Sequence, residues 1–476
     1  MTEPTPTPTP TPTTASAMRL AFYGDDFTGS TDALEVLSFA GLRCALFLQV
    51  PSADLLEALG PFDAVGVAGH SRAMSPEEMD AQLPPVLAAL AQLPVPLMHY
   101  KVCSTFDSHP DVGSIGHVMD LARQAFGSGV IPVVAANPAL GRYCAFGHLF
   151  ARSATDGQVH RIDRHPIMRV HPVTPMTESD LAKHLSMQTR QTVATVTLPV
   201  LERSEAQQDA EVDALLASSC EALLFDGTRA EHLTATGRHL TRLSALSAGP
   251  MFAVGSSGLE YALTQWWREG SPTPWPAQAS SFEGFAAVPQ VLVVSASASA
   301  LSAQQVDAAV QAGFAEVALD VSAWLSQREQ ALADMAEAIV SAWCSGHSVV
   351  VHTARGTGDA RIGQMRERLM ASGLSKAQAA LQGGRLVGEC LGELTERVLQ
   401  TVEVPRLLLS GGDTSSAIMQ RLGPQALQVL ARLAPGAPLC KLLSDKPHLR
   451  QLEVALKGGQ MGSADFFVQA LRGREA

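Results

Sequence analysis

The chain has 476 residues, of which 46% are hydrophobic and 17% charged, so it can bury more than one hydrophobic core. Lys and Arg number 34 against 46 Asp and Glu, and the net charge of -12 argues against a protein that neutralises nucleic-acid phosphates. The seven cysteines show neither CxxC nor His/Cys ligand spacing, so neither a disulfide framework nor a structural zinc site is indicated.

Residues 4–14 alternate threonine and proline, and we expect residues 1–17 to form a disordered tail. This tail lacks the basic segment and apolar stretch of a secretion signal. Apolar runs such as residues 291–294 are far shorter than the ~20 residues that span a bilayer. Together with the cysteine usage, these features predict a cytoplasmic protein with no membrane or nucleic-acid partner.

From Arg19 onward, short apolar runs alternate with longer segments of helical periodicity, which is typical of an α/β fold. The predicted strands are residues 19–23, 44–50, 64–68, 97–102, 130–135, 222–225, 251–254, 291–295, 317–319, 348–352, 406–410 and 452–456. In the first half, predicted helices begin near Asp32, Glu77, Gly113, Glu178, Glu205 and Ser257. A Pro, Ser and Gly-rich stretch at 271–289 predicts a linker between two domains, 18–270 and 290–476. We expect each domain to contain a mostly parallel sheet flanked by helices.

Two adjacent carboxylates, Asp25 and Asp26, closely follow the first predicted strand. Ligands of open α/β sheets bind at the carboxyl ends of strands, so one carboxylate could hold or deprotonate a substrate hydroxyl. Either could instead cap the helix that follows, a common role for aspartate. The pattern leaves both interpretations open.

Lys101 lies near the end of the fourth predicted strand, and Ser104 and Thr105 follow in a loop that leads to a helix. A lysine, two hydroxyls and the amides of a helix N-terminus can together bind a carboxylate or phosphate. Arg142, in the loop after residues 130–135, is another candidate anion ligand. The alternative is that Lys101 and Arg142 are solvated surface cations.

Three loops of small residues follow strands in the second half. They contain Ser295 and Ser297, then Gly411, Gly412, Asp413 and Thr414, and finally Gly459 and Gly462. Small residues let backbone N–H groups approach a phosphate, and a helix N-terminus adds partial positive charge. Each loop alone could be an ordinary turn, but three in one domain favour an anion site. The chain lacks the GxxxxGK[ST] and strand-linked GxGxxG motifs, so a less common set of phosphate-binding loops is expected.

Taken together, these stretches resemble the four-carbon acid sugar kinase family over nearly the whole chain. Its DDxTGxxD, KxxST and HPLTPM elements resemble residues 25–32, 101–105 and 171–176. Its proline and glycine-arginine loop and its GSxGL turn resemble residues 138–142 and 255–259. Its SGSCS, GGETS and KSGNFG loops resemble residues 295–299, 411–415 and 457–462.

The resemblance implies that the N-terminal domain binds an acid sugar, the C-terminal domain binds ATP, and the reaction takes place in the cleft between them. The implied catalytic residues are Asp25, Asp26 and Lys101. The implied substrate-binding residues are Thr28, Ser104, Thr105 and Arg142, and the implied nucleotide-binding residues are Ser295, Ser297, Gly411, Gly412, Asp413, Thr414, Gly459 and Gly462. Mg2+ is expected to bridge the ATP phosphates, with protein ligands that the sequence does not specify. A homodimer is left open.

One loop departs from the family pattern. Family members usually continue as STxRGNxG, whereas here Thr105 is followed by Phe106 and Asp107. Neither residue can replace a bidentate arginine, which argues against D-threonate or D-erythronate as substrate. We expect a 3-oxo or branched acid such as 3-oxo-isoapionate or 3-oxo-tetronate, both substrates known within the family. The alternatives are a D-threonate or D-erythronate kinase, a kinase of neutral sugars, and a non-catalytic sensor of sugar acid or nucleotide.

Overall fold

The computed structural model describes residues 18–153, 156–171, 173–270 and 282–475. The predicted tail 1–17 and residues 271–281 of the predicted linker lie outside the described residues. The linker's later residues belong to the second half, because Phe285 pairs with Arg474 and the Val288 N–H donates to the carbonyl of Leu471. None of the described helices has the length and apolar character needed to cross a bilayer.

Strands and helices alternate along most of the described chain. The strands are β1 Leu20–Gly24, β2 Cys44–Phe47, β3 Ala64–Ala68, β4 Leu97–Lys101, β5 Ile131–Val134, β6 Arg142–Ala145, β7 His148–Arg152, β8 Val159–Arg161, β9 Val193–Val196, β10 Ala222–Phe225, β11 Met251–Gly255, β12 Leu292–Ser295, β13 Ala315–Ala318, β14 Val349–His352, β15 Arg406–Ser410, β16 Ala426–Ala434, β17 Ala437–Leu443 and β18 Glu453–Lys457. The helices are α1 Phe27–Phe39, α2 Ala53–Leu59, α3 Pro76–Leu90, α4 Ile115–Phe126, α5 Leu181–Ser186, α6 Leu198–Leu201, α7 Glu205–Ala217, α8 Ala230–Leu246, α9 Gly258–Gly270, α10 Ala300–Gln311, α11 Val321–Ser326, α12 Arg328–Cys344, α13 Ala360–Ala371, α14 Lys376–Thr401, α15 Gly412–Leu422 and α16 Phe466–Arg472.

Fifteen of the described strands form one sheet, in the order β13-β14-β12-β15-β18-β17-β16-β2-β3-β1-β4-β11-β5-β10-β9. The strands from β2 to β9 in this order are parallel, as are those from β13 to β18. The antiparallel strands β16 and β17 join these two blocks, because β16 pairs with β2 and β17 pairs with β18. The predicted α/β fold is confirmed, and its two parallel sheets are continuous with each other.

Helices cover both faces of this sheet. One large core lies on a single face and contains side chains of α1, α9, α14 and α15, so it extends through both halves. On the opposite face, α3 and α4 cover the first parallel block, and α10 and α16 cover the second. Strands buried on both faces have the continuous apolar sequences seen in residues 64–68 and 407–409.

The structure corrects several predicted elements. The first helix begins at Phe27 and not near Asp32, because Asp26 caps it by accepting a hydrogen bond from the Gly29 N–H. Residues 142–152 and 159–161 contribute a separate three-stranded antiparallel sheet, β6-β7-β8, and residues 426–443 form the joining hairpin. Neither had been predicted, because polar residues such as Gln428 and Lys441 interrupt the apolar pattern of these strands.

Candidate active site

A crevice at the carboxyl ends of β1 and β4 holds the candidate acid-sugar residues. These neighbouring strands pair in register, with Gly24 opposite Lys101. The helices that follow them, α1 and α4, lie on opposite faces of the sheet. Loops therefore diverge at this point and leave room for a ligand, as at the switch points of other open α/β sheets.

Asp25 is buried at the base of the crevice. Its Oδ1 atom has no hydrogen-bond partner among the described residues, and its Oδ2 atom is 3.8 Å from Nε of Arg72. Burial raises the pKa of Asp25 well above its ordinary value, Asp26 adds to the effect, and Arg72 and Lys101 oppose it. A carboxylate with a free oxygen and a raised pKa can accept a proton from a substrate hydroxyl.

Asp26 has a different role. Its Oδ1 atom accepts from the Gly29 N–H at 2.5 Å, and its Oδ2 atom accepts from Nη1 of Arg72 at 2.6 Å. Both carboxylate oxygens are therefore engaged, one in the N-cap of α1 and the other in an ion pair. The helix-cap interpretation holds for Asp26, whereas Asp25 retains a free oxygen.

Lys101 extends from β4 beneath the first turn of α1. Its Nζ atom is 3.4 Å from Oδ2 of Asp32. Burial acts against the charged ammonium, but Asp32, Asp26 and other nearby acidic groups raise the pKa of Lys101 above its ordinary value. A Cβ atom on Gly29 would lie only 2.9 Å from Nζ, so the glycine of the DDFTG sequence makes room for this cation. Lys101 is therefore a buried, charged group in the crevice and not a solvated surface lysine.

Arg72, which the sequence analysis did not single out, connects three carboxylates. It follows β3, the strand on the other side of β1, and its guanidinium contacts Asp26 at 2.6 Å and Asp107 at 3.3 Å, with Asp25 at 3.8 Å. The sequence signal that could have identified Arg72 is its position four residues after the end of a strand, at the same edge of the sheet. Its pairing partners are 35 and 46 residues away along the chain, which local spacing does not reveal.

The unusual loop after Thr105 is held in place by Asp107. The hydroxyl of Thr105 donates to Oδ1 of Asp107 at 2.5 Å, and the hydroxyl of Thr174 donates to Oδ2 at 2.9 Å. Burial acts against ionisation, yet Arg72 and the two hydroxyls lower the pKa of Asp107. The position where family members usually have arginine thus carries a buried carboxylate with an arginine partner of its own.

Ser104 and Arg142 lie at the margin of this group. Ser104 is half-buried in the loop after β4. Nη1 of Arg142 donates to the carbonyls of Leu140 at 3.0 Å and Arg152 at 3.1 Å, which fixes the guanidinium to its own β-hairpin. Its Nε atom is buried without a partner among the described residues, so one donor is still available to a ligand.

A second crevice lies between β12 and β15, whose following helices α10 and α15 are also on opposite faces of the sheet. Ser295 ends β12, and its hydroxyl is buried without a partner among the described residues. Ser297 accepts a hydrogen bond from the Ser299 N–H at 3.2 Å. A Cβ atom on Gly459 would lie 2.2 Å from Oγ of Ser297, so the first and third small-residue loops touch.

The second small-residue loop completes this crevice. Gly411 has a φ of 125°, a conformation that favours glycine, and its N–H donates to the carbonyl of Lys457 at 3.0 Å. Gly412 begins α15, with Asp413 and Thr414 in its first turn. Gly462 has a φ of 81° in the loop after β18. All three predicted loops therefore meet at one sheet edge, beside the N-terminus of α15.

Helices α1 and α15, which begin at the two crevices, pack together. The position of a Cβ atom on Gly412 is 3.6 Å from Oγ1 of Thr28. That hydroxyl is buried and has no partner among the described residues. Groups bound in the two crevices would therefore approach each other near Thr28.

No cluster of three or more His, Cys, Asp or Glu side chains suited to a metal ion occurs in the described parts of the chain. Mg2+ in phosphoryl-transfer enzymes commonly keeps water ligands and uses substrate phosphates with one or two carboxylates. The carboxylate oxygens in the crevice are of the hard-donor type that such an ion accepts.

Comparisons with known proteins agree with this architecture. A family model described as a sugar-binding N-terminal domain matches residues 20–263, and one described as a nucleotide-binding C-terminal domain matches residues 292–467. The chain is 40% identical to a 3-oxo-isoapionate kinase of Paraburkholderia graminis over 100% of its own length and 98% of the relative's. It is 29% identical to a 3-oxo-tetronate kinase of Cupriavidus necator over 95% of its length and 96% of the relative's.

Solved structures share the fold. A Salmonella typhimurium LT2 protein superposes with a TM-score of 0.75 at 24% identity, over 95% of this chain and 99% of the other. A DUF1537 protein of Haemophilus influenzae gives a TM-score of 0.69 at 22% identity, over 94% and 98%. With both family models matched in order and a full-length relative at 40% identity, this chain belongs to the four-carbon acid sugar kinase family.

Proposed function

We propose that this chain is an ATP-dependent kinase that phosphorylates a hydroxyl of a 3-oxo or branched sugar acid, such as 3-oxo-isoapionate or 3-oxo-tetronate. The observation that carries the proposal is the meeting of two crevices near Thr28. One contains the free Asp25 oxygen and Lys101, and the other is formed by the three small-residue loops. A kinase needs an acceptor site and a phosphate site in this relation.

The acceptor crevice supplies a base and positive charge. In the proposed reaction, Asp25 accepts the proton of the acceptor hydroxyl, while Asp26 holds the end of α1 and orients Arg72. Lys101 stabilises negative charge on the acid or on the phosphoryl group in transfer. Thr28, Ser104, Thr105 and Arg142 are proposed to contact the acid. Positioning and electrostatics of this kind provide most of the rate enhancement in phosphoryl transfer.

The second crevice is proposed to bind ATP through the backbone of Ser295, Ser297, Gly411, Gly412, Asp413, Thr414, Gly459 and Gly462. N–H groups in such loops and at a helix N-terminus bind phosphate oxygens. A carboxylate of the acceptor crevice other than the proposed base could join the ATP phosphates and water molecules in holding Mg2+. When bound, Mg2+ would neutralise charge on the phosphates.

The loop at Asp107 supports a 3-oxo acid in preference to D-threonate or D-erythronate. The Arg72–Asp107 pair satisfies the buried carboxylate internally, so this position offers no free guanidinium to a substrate carboxylate. The two relatives named above are kinases of 3-oxo acids. We accordingly assign acid binding to residues 18–270 and nucleotide binding to residues 290–476.

An ADP-release screen tests the proposal. The full-length protein would be given MgATP with 3-oxo-isoapionate, 3-oxo-tetronate, D-threonate, D-erythronate or neutral aldoses, with ADP formation coupled to NADH oxidation. We expect turnover with a 3-oxo acid and at least about ten-fold lower kcat/KM for D-threonate. If the protein bound ATP but released no ADP in the presence of any of these compounds, it would be a sensor, and the kinase assignment would be contradicted.

A further inference from the structure

A row of polar side chains crosses the base of the nucleotide crevice. Ser295 is in register with Ser410, and Ser410 is in register with Lys457, on the adjacent strands β12, β15 and β18. Residues in register on neighbouring parallel strands point to the same face of a sheet. All three are buried, at 0%, 1% and 0% exposure respectively. The carboxyl edge beneath the three loops therefore has a polar, solvent-excluded floor.

Lys457 is the charged member of this row. Its Nζ atom donates to the carbonyl of Gly458 at 3.0 Å and lies 5.9 Å from the ring centre of Phe466. It forms no ion pair with a carboxylate of the described residues, and burial alone lowers its pKa to about 8. An ammonium group has three hydrogen-bond donors. Burying a charged ammonium without a counterion costs free energy.

The location of Lys457 indicates what could neutralise it. Its own carbonyl receives the Gly411 N–H, and the segment that follows it contacts Ser297 through Gly459. The Ser295 hydroxyl in the same row is also unpartnered among the described residues. A cation and a hydroxyl with unused bonding capacity thus lie where the three loops meet, which suits an anion with several oxygens.

We propose that Lys457 binds a phosphate group of the nucleotide. It thereby contributes affinity for the nucleotide beyond that of the glycine loops. This inference rests on the proposed function, because it takes ATP as the anion. The alternative is a lysine that only packs on Phe466 and tethers Gly458. The two roles differ in what happens to the lysine proton when ATP binds.

The direction of the expected proton transfer follows from the linkage between proton binding at Lys457 and ATP binding. In the free protein, burial lowers the pKa of Lys457 to about 8. About half of the Lys457 side chains are therefore neutral when the pH equals this pKa, and a larger fraction is neutral at higher pH. A phosphate dianion beside Nζ favours the ammonium and raises the pKa. ATP binding must then take up protons above that pKa, approaching about one per ATP, and affinity must fall as pH rises.

Titration calorimetry of the full-length protein with MgATP measures this uptake, with no acid present. We would compare buffers of different ionisation enthalpy at about one pH unit below and above the Lys457 pKa. Adenosine, which carries no phosphate, should bind without the uptake. We expect uptake with ATP at the higher pH only.

Variants identify the group. Lys457→Met retains the length of the side chain and its packing but removes the charge, and should weaken ATP binding about ten- to a hundred-fold and abolish the proton uptake. The matched control is Lys446→Met. Lys446 also donates to a carbonyl, that of Leu422, but it is exposed at the far end of α15. The control should bind ATP as the unmodified protein does.

Unchanged ATP affinity and unchanged uptake in Lys457→Met would overturn the inference, and the kinase assignment would stand if ADP release persisted. If the variant fails to fold, the proton uptake of the unmodified protein still tests the role of Lys457. Absence of proton uptake above the Lys457 pKa would then reject the role. Failure of the unmodified protein to bind ATP at all would reject the proposed function, and the inference with it.

Discussion

Adjacent residues of the same type can have different roles when their surroundings differ, as Asp25 and Asp26 do. Asp26 has both oxygens engaged, by the Gly29 N–H and by Arg72. Asp25 is buried with Oδ1 unpartnered among the described residues. The sequence DD could not separate these roles, because both depend on where Arg72 and the first turn of α1 lie.

We predict that Asp25→Asn lowers kcat about 10²- to 10⁴-fold, because the proposed base is lost while packing is preserved. The thermal midpoint should not decrease, because the neutral amide avoids the cost of a buried charge. The measurement is steady-state ADP release together with a melting curve. Retention of near-normal turnover would exclude Asp25 as the base.

Asp26→Asn is the matched comparison for this prediction. Asparagine is itself a good N-cap, so α1 should be retained, but the charge opposite Arg72 is lost. We expect a smaller decrease in kcat than for Asp25→Asn. A larger decrease would reverse the assignment of the two residues.

The loops after β12 and β18 contact each other closely. Gly459 lies so close to Ser297 that a Cβ atom would be 2.2 Å from its hydroxyl. We predict that Gly459→Ala displaces the two loops and raises the KM for ATP about ten-fold, with a much smaller effect on the KM for the acid. The control is Gly384→Ala in α14, where a Cβ atom has no neighbour within 4 Å. Equal KM values for ATP in Gly459→Ala and the unmodified enzyme would contradict the loop assignment.

Helix α1 also carries a titratable contact between the two halves. Glu35 is buried, its Oε2 atom has no partner among the described residues, and Arg432 of β16 lies over the ring of Phe39 on the same helix. Burial and the nearby Asp32 raise the pKa of Glu35 to about 8, against the influence of Arg432. This carboxyl therefore contributes stability below its unfolded pKa of about 4.3, and that contribution is lost as pH rises through about 8.

We predict that Glu35→Gln becomes more stable relative to the unmodified protein as pH rises from about 5 to about 9, by on the order of 2 kcal/mol. Glutamine remains neutral throughout and imitates the protonated acid. Denaturant unfolding at both pH values measures the difference, with exposed Glu57→Gln as control. A difference independent of pH would show that Glu35 ionises freely in the folded protein.

Across the whole molecule, the joining strands make the two halves depend on each other. β2 pairs with β16 through Leu46 and Phe47, and α1 packs against α15 and the β16–β17 hairpin. We predict that a fragment of residues 18–270 self-associates or melts at lower temperature than the full chain, because the edge of β2 is uncovered. Size-exclusion chromatography and thermal melts test this. A monomeric fragment with the full-length melting temperature would contradict it.

The parts that could be predicted are those with local causes. Residues 64–68, 222–225 and 407–409 lie in buried strands because each is a short apolar run between polar or glycine residues. The joining of the two sheets could not be predicted, since β16 and β2 are far apart in the chain and pair through backbone groups. The common sheet edge of Asp25 and Lys101 was predictable because each lies at the carboxyl end of a predicted strand, whereas Arg72 is recognisable only from its partners in space.

In the proposed reaction, both crevices act together to transfer a phosphoryl group from ATP to a sugar acid. The decisive experiment follows the label from γ-labelled ATP into 3-oxo-isoapionate and 3-oxo-tetronate, with the unmodified protein and Asp25→Asn compared side by side. We expect a phosphorylated acid with the unmodified protein and a rate lower by about 10²-fold or more with the variant. Label that appears only as inorganic phosphate, or in no acid at all, would contradict the proposed reaction.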